Sequence, residues 1–260
     1  MKAPEVIEAV WKKFDGFPME TLTKVWLHSR MEGGKQRDIE TMKLHKERYG
    51  ITGNCFDLAL WLLSEFKAAG LTAYAIGHDL KSEAAHVAVI ALDEQENRYL
   101  CDLGDQWLQP ILIERNHPEF SPDKLPGFFP GSDIQIIPRE LDIEVLYHRP
   151  NGKVSRQVFD LTPIDYGDFL EAADFSQNLI KSKPLLEVRI PYKKEMAHWG
   201  FYDWGSFLGT SEGKHVDAPL STVEEWVERL HDKTGYDRQM LLESLSIYKS
   251  FLDEGTRVQL

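Results

Sequence analysis

The segment Gly53-Asn54-Cys55-Phe56-Asp57 begins the most regular amphipathic helix that the sequence predicts, from Cys55 to Ala69. Apolar residues recur there at helical spacing, and Gly70 ends the pattern in a position that favours a left-handed cap. Asn54 is a favourable N-cap residue. Cys55 is therefore predicted at the first helical position, where oriented N–H groups stabilise a thiolate. The carboxylate of Asp57 opposes that effect, so the thiol needs a further partner.

Two predicted strands downstream carry the candidate partners. His86–Leu92 is apolar on both faces and predicts a buried strand. Arg98–Leu103 predicts a second strand, and the short polar connection between them indicates an antiparallel hairpin.

The register of this hairpin determines whether an imidazole and a carboxylate meet. If Ala91 pairs with Asn97, His86 lies directly opposite Asp102, and a slip of two residues leaves them diagonal on the same face. An odd slip would separate them. The order of Cys55, His86 and Asp102 is typical of an activated nucleophile, in which a base lies beside the thiol and a carboxylate orients the base.

The motifs Gly53-x-Cys55-Phe56-Asp57, His86-Val87-Ala88-Val89 and Tyr99-Leu100-x-Asp102-Leu103-Gly104 resemble the arylamine N-acetyltransferase family. More remotely, they resemble transglutaminase-like and papain-like thiol enzymes. The resemblance implies that Cys55 accepts the acyl group, His86 is the base and Asp102 orients it. It also implies acetyl-CoA or another acyl-CoA as co-substrate, and a small-molecule amine as the second partner.

Two loops depart from the family pattern. The family has Arg-Gly-Gly before its cysteine motif, whereas this chain has Ile51-Thr52-Gly53-Asn54. The family follows its aspartate with a Val-Gly-Phe-Gly type of loop, whereas this chain has Leu103-Gly104-Asp105-Gln106-Trp107. The residues predicted to line a substrate or cofactor pocket are Asn54, Phe56, Gly104, Asp105 and Trp107, and a core position for Trp107 remains an equal alternative.

Composition limits the class of protein. With 42% hydrophobic and 28% charged residues, the chain is typical of a soluble globular protein. Its net charge is −12, and its lysines and arginines are scattered, which argues against nucleic acid as a partner. This charge offers no overall attraction to an anionic cofactor, so any such site must be built locally.

Several other sites are not expected from the sequence. The cysteines are only Cys55 and Cys101, which predicts no disulfide framework, and Cys101 is expected to be a buried apolar residue. The histidines show no metal-binding spacing. No apolar run has the length of a membrane span, and the N-terminus lacks a signal-peptide pattern, so a cytoplasmic location is expected. The oligomeric state remains open.

The element pattern predicts an α+β fold. Residues 1–70 are expected to form a helical bundle that carries the nucleophile helix, residues 71–162 a β-rich domain, and residues 163–260 an α/β lid-like region. The family resemblance implies that the β-rich domain is an antiparallel barrel. A turn is predicted at Gly77–Asp79, and a long loop at Asn116–Gly131.

Three functions remain open from the sequence. The first is transfer of an acyl group from acyl-CoA, through a Cys55 thioester, to an amine, arylamine or hydrazine. The second is a transglutaminase-like thiol amidase or hydrolase that uses the same three residues. The third is a non-catalytic member of the fold.

Overall fold

The structure is a computed structural model that describes residues 2–30 and 34–253. The last seven residues of the predicted lid-like region, 254–260, lie outside this described part. Within it are seven α-helices: α1 (Glu5–Trp11), α2 (Leu22–His28), α3 (Ile39–Tyr49), α4 (Cys55–Ala68), α5 (Tyr166–Asn178), α6 (Val223–Thr234) and α7 (Arg238–Asp253). None of the helices in the described ranges combines the length and the apolar character needed to cross a membrane.

Thirteen strands form two antiparallel sheets in the described chain. The larger sheet contains β2 (Ala73–His78), β3 (His86–Leu92), β4 (Arg98–Cys101), β5 (Ile111–Leu112), β6 (Leu125–Phe129), β7 (Ser132–Pro138), β8 (Asp142–His148) and β9 (Val154–Asp160). The smaller sheet contains β1 (Met19–Glu20), β10 (Leu185–Tyr192), β11 (Glu195–Tyr202), β12 (Gly205–Thr210) and β13 (Gly213–Val216).

The larger sheet curls into a nearly closed barrel. Its strand order is β5-β4-β3-β2-β9-β8-β7-β6, so β5 and β6 are its two edges. The chain just before β5 meets β6 through a hydrogen bond of 2.8 Å from the Leu108 N–H to the Phe128 carbonyl. The predicted α+β class and the antiparallel barrel-like sheet are therefore confirmed, whereas the division of the chain at residues 70 and 162 stays a prediction.

The helix α4, which begins at Cys55, packs against the barrel strands. It is apolar on most of its surface, and Phe56, Leu58, Leu62 and Phe66 are fully buried in the same core as β3. A second core lies under the smaller sheet, where α2, α6 and α7 cover β10 and β11. Burial of large apolar side chains is the main favourable contribution to folding, so these two cores hold α4 and the hairpin in place.

Two local predictions were wrong. The predicted turn at Gly77–Asp79 is not present, because β2 continues through His78, which pairs with His86. The predicted loop Asn116–Gly131 contains the strand β6, whose glycine at position 127 has a φ of 79° and accompanies a register irregularity. Glycine and proline weaken a strand pattern in the sequence, and pairing with a neighbouring strand overrides them here.

A buried ion pair fixes the chain that enters α4. The Arg37 guanidinium lies 3.1 Å from the Asp57 carboxylate, and the two side chains are only 3% and 2% exposed. Arg37 also donates a 2.6 Å hydrogen bond to the Thr52 carbonyl. Gly53 passes between these groups with a φ of 124°, and a Cβ there would lie 2.2 Å from the Asp57 carboxylate. Only glycine fits this conformation, so the ion pair and Gly53 together place Cys55.

Replacing Arg37 should destabilise the protein strongly. Arg37→Met leaves the Asp57 carboxylate buried without its cation, which costs about 3 kcal/mol or more of unfolding free energy. Urea unfolding followed by circular dichroism measures the change. Lys193→Met is the matched control, because it breaks an exposed ion pair with Glu212 and should leave the midpoint unchanged. Equal midpoints for the two variants would contradict the structural role of Arg37.

Candidate active site

Cys55 is the first residue of α4, as the sequence predicted. The Asn54 side chain accepts hydrogen bonds from the N–H groups of Phe56 (2.9 Å) and Asp57 (3.3 Å). The Asp57 carboxylate in turn accepts from the Asn54 N–H at 3.0 Å, which completes a capping box. The cap does not use the N–H of Cys55, so this group is available as a donor at the start of the helix.

His86 and Asp102 meet through the two-residue slip that the sequence left open. Ala91 pairs with Tyr99 rather than Asn97, which makes His86 and Asp102 diagonal neighbours. Asp102 follows directly after β4, and its side chain is fully buried. The His86 Nε2 and the Asp102 Oδ2 are 2.8 Å apart and share a hydrogen bond. The carboxylate therefore fixes the orientation of the ring.

Gly104 brings the thiol to the imidazole. A Cβ at Gly104 would lie 2.7 Å from the Cys55 Cβ and 2.8 Å from the His86 Cε1. Such contacts are sterically forbidden, so the backbone passes Cys55 and His86 only because this residue has no side chain. The structure thus brings together Cys55, His86, Asp102 and Gly104, which come from three separate parts of the sequence.

The charges around His86 favour its protonated form. Burial alone would lower the pKa of His86. The negative charge of Asp102, the hydrogen bonds with Asp102 and Cys55, and the charge of Asp105 instead raise this pKa well above 6.5. The imidazole can therefore hold a proton that Cys55 has lost, as a base paired with a thiolate must.

Asp105 is a second carboxylate at the same imidazole. Its carboxylate, that of Asp102 and a His86 ring nitrogen all lie within 4.8 Å of one another. The Tyr147 hydroxyl donates a 2.5 Å hydrogen bond to the Asp105 Oδ2. Burial and the charge of Asp102 raise the pKa of Asp105 to about 6, although His86 and Tyr147 act in the opposite direction.

These three donor groups could hold a metal ion by their spacing alone. Asp102, however, already accepts from the His86 ring and, at 2.9 Å, from the Asp105 N–H. To bind there, a metal ion would have to break the His86–Asp102 hydrogen bond and displace the proton from His86, whose protonated form is favoured. The donor set therefore fits a proton-transfer site better than a metal centre.

The other predicted pocket residues occupy different positions. Asn54 is buried in the capping box, and Phe56 is fully buried with its ring 5.5 Å from that of Phe169. Trp107 is also fully buried, and its indole N–H donates to the Tyr147 hydroxyl at 3.3 Å. These three side chains are buried in the protein interior. Of the predicted pocket residues, Gly104 and the half-buried Asp105 are the two that lie close to the His86 imidazole.

The remaining cysteine and a competing histidine are close to the site but differ from Cys55 and His86. Cys101 is fully buried, and burial raises the pKa of its thiol far above its ordinary value. Both cysteines are free thiols. His78 lies across the sheet from His86 with ring centroids 5.9 Å apart, and its Nδ1 lies 2.9 Å from the carboxylate of the exposed Asp79. His78 therefore has its own carboxylate, but this one is open to solvent.

A cavity of about 380 Å³ lies between the two sheets. Glu187 and His198 form part of its wall, with the His198 Nε2 3.4 Å from the Glu187 carboxylate. Burial would raise the pKa of Glu187, but the charges of His198, Arg149 and His86 lower it. The wall also includes three cationic side chains, which are Arg149, Lys153 and Lys214. This cavity therefore has local positive charge, and the charge of His86 acts on Glu187 in its wall.

Sequence reasoning missed Arg37, Tyr147 and Glu187. Arg37 lies 20 residues from Asp57, and Tyr147 lies 42 residues from Asp105, so no short motif contains either pair. Glu187 is on the smaller sheet, far from His86 in sequence. The sequence carries no clear signal for Tyr147 either, because β8 (Asp142–His148) mixes charged and apolar residues.

Similar proteins are found among solved structures but not through sequence comparison. No protein-family model matches the sequence, and no curated protein matches it. Among solved structures, the Nocardia farcinica arylamine N-acetyltransferase is similar, with a TM-score of 0.71 and 16% identity over 94% of this chain and 88% of that one.

Two further arylamine N-acetyltransferase structures are similar. The Mycobacterium marinum enzyme in complex with CoA has a TM-score of 0.67 and 13% identity, over 91% of this chain and 90% of its own. A Bacillus cereus enzyme with a Cys-His-Glu catalytic triad has a TM-score of 0.64 and 14% identity, over 91% of this chain and 92% of its own. This chain therefore has the arylamine N-acetyltransferase fold.

Proposed function

We propose that this protein is a thiol acyltransferase that moves an acyl group from acyl-CoA, through a thioester on Cys55, to an amine, arylamine or hydrazine. The observation that carries the proposal is the buried hydrogen bond between His86 and Asp102, with Cys55 at a helix start against the same imidazole. The fold supports it, because one similar structure is an arylamine N-acetyltransferase in complex with CoA.

The first half-reaction forms the acyl-enzyme. The Cys55 thiol gives its proton to His86, and the thiolate attacks the carbonyl carbon of the donor thioester. Negative charge develops on the carbonyl oxygen, and the unused N–H of Cys55 is positioned to stabilise it. The carbon–sulfur bond to CoA then breaks, and the CoA sulfur leaves with the proton that His86 held.

The second half-reaction returns the enzyme to its starting state. The acceptor nitrogen attacks the Cys55 thioester, and His86 takes the proton that this nitrogen loses. The bond between the acyl carbon and the Cys55 sulfur breaks, which gives an amide and restores the thiol as the proton passes back. Asp102 keeps the imidazole oriented in both halves.

The cavity beside Glu187 is the place we propose for the donor. Acyl-CoA carries phosphates, and the chain as a whole has a net charge of −12. The cationic side chains of Arg149, Lys153 and Lys214 give this cavity a local positive charge that the whole molecule lacks. The charge of His86 acts on Glu187 in the cavity wall, which supports a donor position on the same side of the molecule as the imidazole.

The proposal predicts unequal reactivity of the two thiols. Cys55 should alkylate with iodoacetamide much faster than Cys101, because Cys101 is fully buried and burial raises the pKa of its thiol. His86→Gln should slow this reaction, whereas His78→Gln, the matched control, should not. Peptide mass spectrometry measures both rates. Equal rates at the two thiols would reject the catalytic assignment.

The decisive test is acylation. Acetyl-CoA alone should add one acetyl group to Cys55, visible by intact-protein mass spectrometry, and a hydrazine or an aryl amine should then remove it. Steady-state kinetics should follow a ping-pong pattern. Cys55→Ser should abolish acylation, because a hydroxyl is a weaker nucleophile.

Two other results of the acylation test would change the assignment. Rapid hydrolysis whether or not an amine is present would identify a thiol hydrolase. Absence of any adduct from a panel of acyl-CoA donors, with Cys55 still reactive to iodoacetamide, would reject CoA thioesters as the donor.

Asp102 should matter for turnover more than for folding. Asp102→Asn keeps the shape of the side chain but can stabilise the wrong imidazole tautomer, so turnover should fall by about 10³ to 10⁴-fold. Circular dichroism should show an unchanged fold, and burst kinetics should show slower acylation. Turnover within about tenfold of the unchanged protein would show that Asp102 does not orient His86.

A further inference from the structure

We infer that Asp105 selects acceptors that carry a positive charge, such as protonated aliphatic amines, over neutral aryl amines. The inference rests on the acyltransferase proposal and deepens it by naming the class of acceptor. It is carried by the position of the Asp105 carboxylate, which lies within 4.8 Å of the His86 imidazole.

Asp105 is at the reacting centre rather than at its periphery. It directly follows Gly104, whose backbone lies against both Cys55 and His86. Its own N–H donates to the Asp102 carboxylate at 2.9 Å, so the turn that carries Asp105 is fixed to the catalytic carboxylate. Any acceptor that reaches the Cys55 thioester must therefore approach this carboxylate.

The Asp105 carboxylate has capacity for a further donor. An ionised carboxylate offers about four lone-pair positions. Within the described residues, its side chain accepts one hydrogen bond, from the Tyr147 hydroxyl. Unlike the fully buried Asp102, the residue Asp105 keeps partial contact with solvent, so the turn that carries it reaches the accessible side of the site.

The surrounding charges favour a cation at this oxygen. His86 is the positive group nearest Asp105, but its ring hydrogen-bonds Asp102. Burial and the charges of Asp102 and Glu187 raise the pKa of Asp105 to about 6, so the group is ionised at pH 7.5. An ammonium ion would form a charge-assisted hydrogen bond with Asp105 and relieve its repulsion with Asp102 and Glu187. In the acyl-enzyme His86 has given its proton to the departing CoA, so it can take one proton from the bound ammonium and pass it to solvent. The neutral amine nitrogen then attacks the thioester, and His86 takes the second proton as it does for an uncharged acceptor.

The sequence departure at this position agrees with the geometry. The family pattern after the aspartate has a phenylalanine where this chain has Asp105. An aromatic ring offers an apolar surface that stacks on a flat, neutral aryl amine. A carboxylate offers no such surface, and it binds a charged nitrogen instead.

A role in orienting His86 is the alternative, and it makes a different prediction. If Asp105 only supported the imidazole, its loss would lower the maximal rate for every acceptor alike. If it binds the acceptor, its loss should raise the half-saturating concentration of charged acceptors alone. Asp105→Asn separates the two, since the amide can still accept from Tyr147 but carries no charge.

The test compares cyclohexylamine, which is protonated at pH 7.5, with aniline, which is neutral and of similar size. Cys55 is first acetylated by acetyl-CoA, and its discharge is followed by mass spectrometry at increasing acceptor concentration. Asp105→Asn should raise the half-saturating concentration of cyclohexylamine about tenfold or more, with the maximal rate nearly unchanged. The value for aniline should change less than about twofold.

Two control variants sharpen this comparison. Tyr147→Phe keeps the carboxylate but removes the phenol, and it should preserve the preference for cyclohexylamine. Asp105→Glu restores the charge and should recover part of the lost affinity. Equal effects of Asp105→Asn on both acceptors, or a fall in maximal rate alone, would overturn the inference.

A second measurement does not depend on acylation. Cyclohexylammonium should protect Cys55 from the neutral reagent iodoacetamide, cyclohexanol should not, and Asp105→Asn should require about tenfold more amine for the same protection. Protection that is independent of Asp105 would overturn the inference. If no donor in the acyl-CoA panel acylates the unchanged protein, the acyltransferase proposal fails, and the protection assay still decides whether Asp105 binds cations.

Discussion

The buried ion pair between Arg37 and Asp57 is the constraint on which the candidate active site depends. Asp57 lies two residues after Cys55, in the first turn of α4, and an unpaired carboxylate there would raise the free energy of a Cys55 thiolate. Arg37 compensates this charge while also holding the Thr52 carbonyl. The same interaction thus fixes the chain that enters α4 and neutralises the Asp57 charge, which would otherwise repel a Cys55 thiolate.

This constraint connects distant parts of the molecule. The Thr52 N–H also donates to the Tyr236 hydroxyl at 3.1 Å, and the Thr52 hydroxyl donates to the Pro18 carbonyl at 2.6 Å. Residues before α2, before α4 and before α7 therefore meet at one buried point. A shift in any of these segments would move Cys55. The position of the thiol is therefore set by long-range tertiary contacts and not by one local motif.

Local features of this site could be predicted from the sequence because neighbouring residues determine them. The Asn54 cap, the start of α4 at Cys55 and the strand His86–Leu92 follow from spacing and side-chain chemistry. The register that brings His86 to Asp102 could not be fixed from the sequence, because the pattern did not exclude an odd slip and only even slips keep the two side chains on one face.

What the sequence could not provide was the set of long-range partners. In the resembling family an arginine precedes the cysteine locally, whereas here the buried guanidinium comes from Arg37, 18 residues before Cys55 in the numbering. Tyr147 lies on β8, four strands from β4 in the barrel order, and reaches Asp105 across the barrel interior. Such contacts depend on barrel closure, which no local pattern encodes.

The three carboxylates near the thiol differ in how the protein compensates them, and this difference separates structural from functional roles. Asp57 has the full guanidinium of Arg37, and Asp102 has the imidazole of His86. Asp105 has only the neutral hydroxyl of Tyr147 as a side-chain donor among the described residues. Placing a carboxylate in a partly desolvated site without its own cation is unfavourable for folding, and a ligand that brings the cation removes that cost. Apart from the charge of His86, which it shares with Asp102, Asp105 is the least compensated of the three, and this is why we propose it as the carboxylate that binds an acceptor.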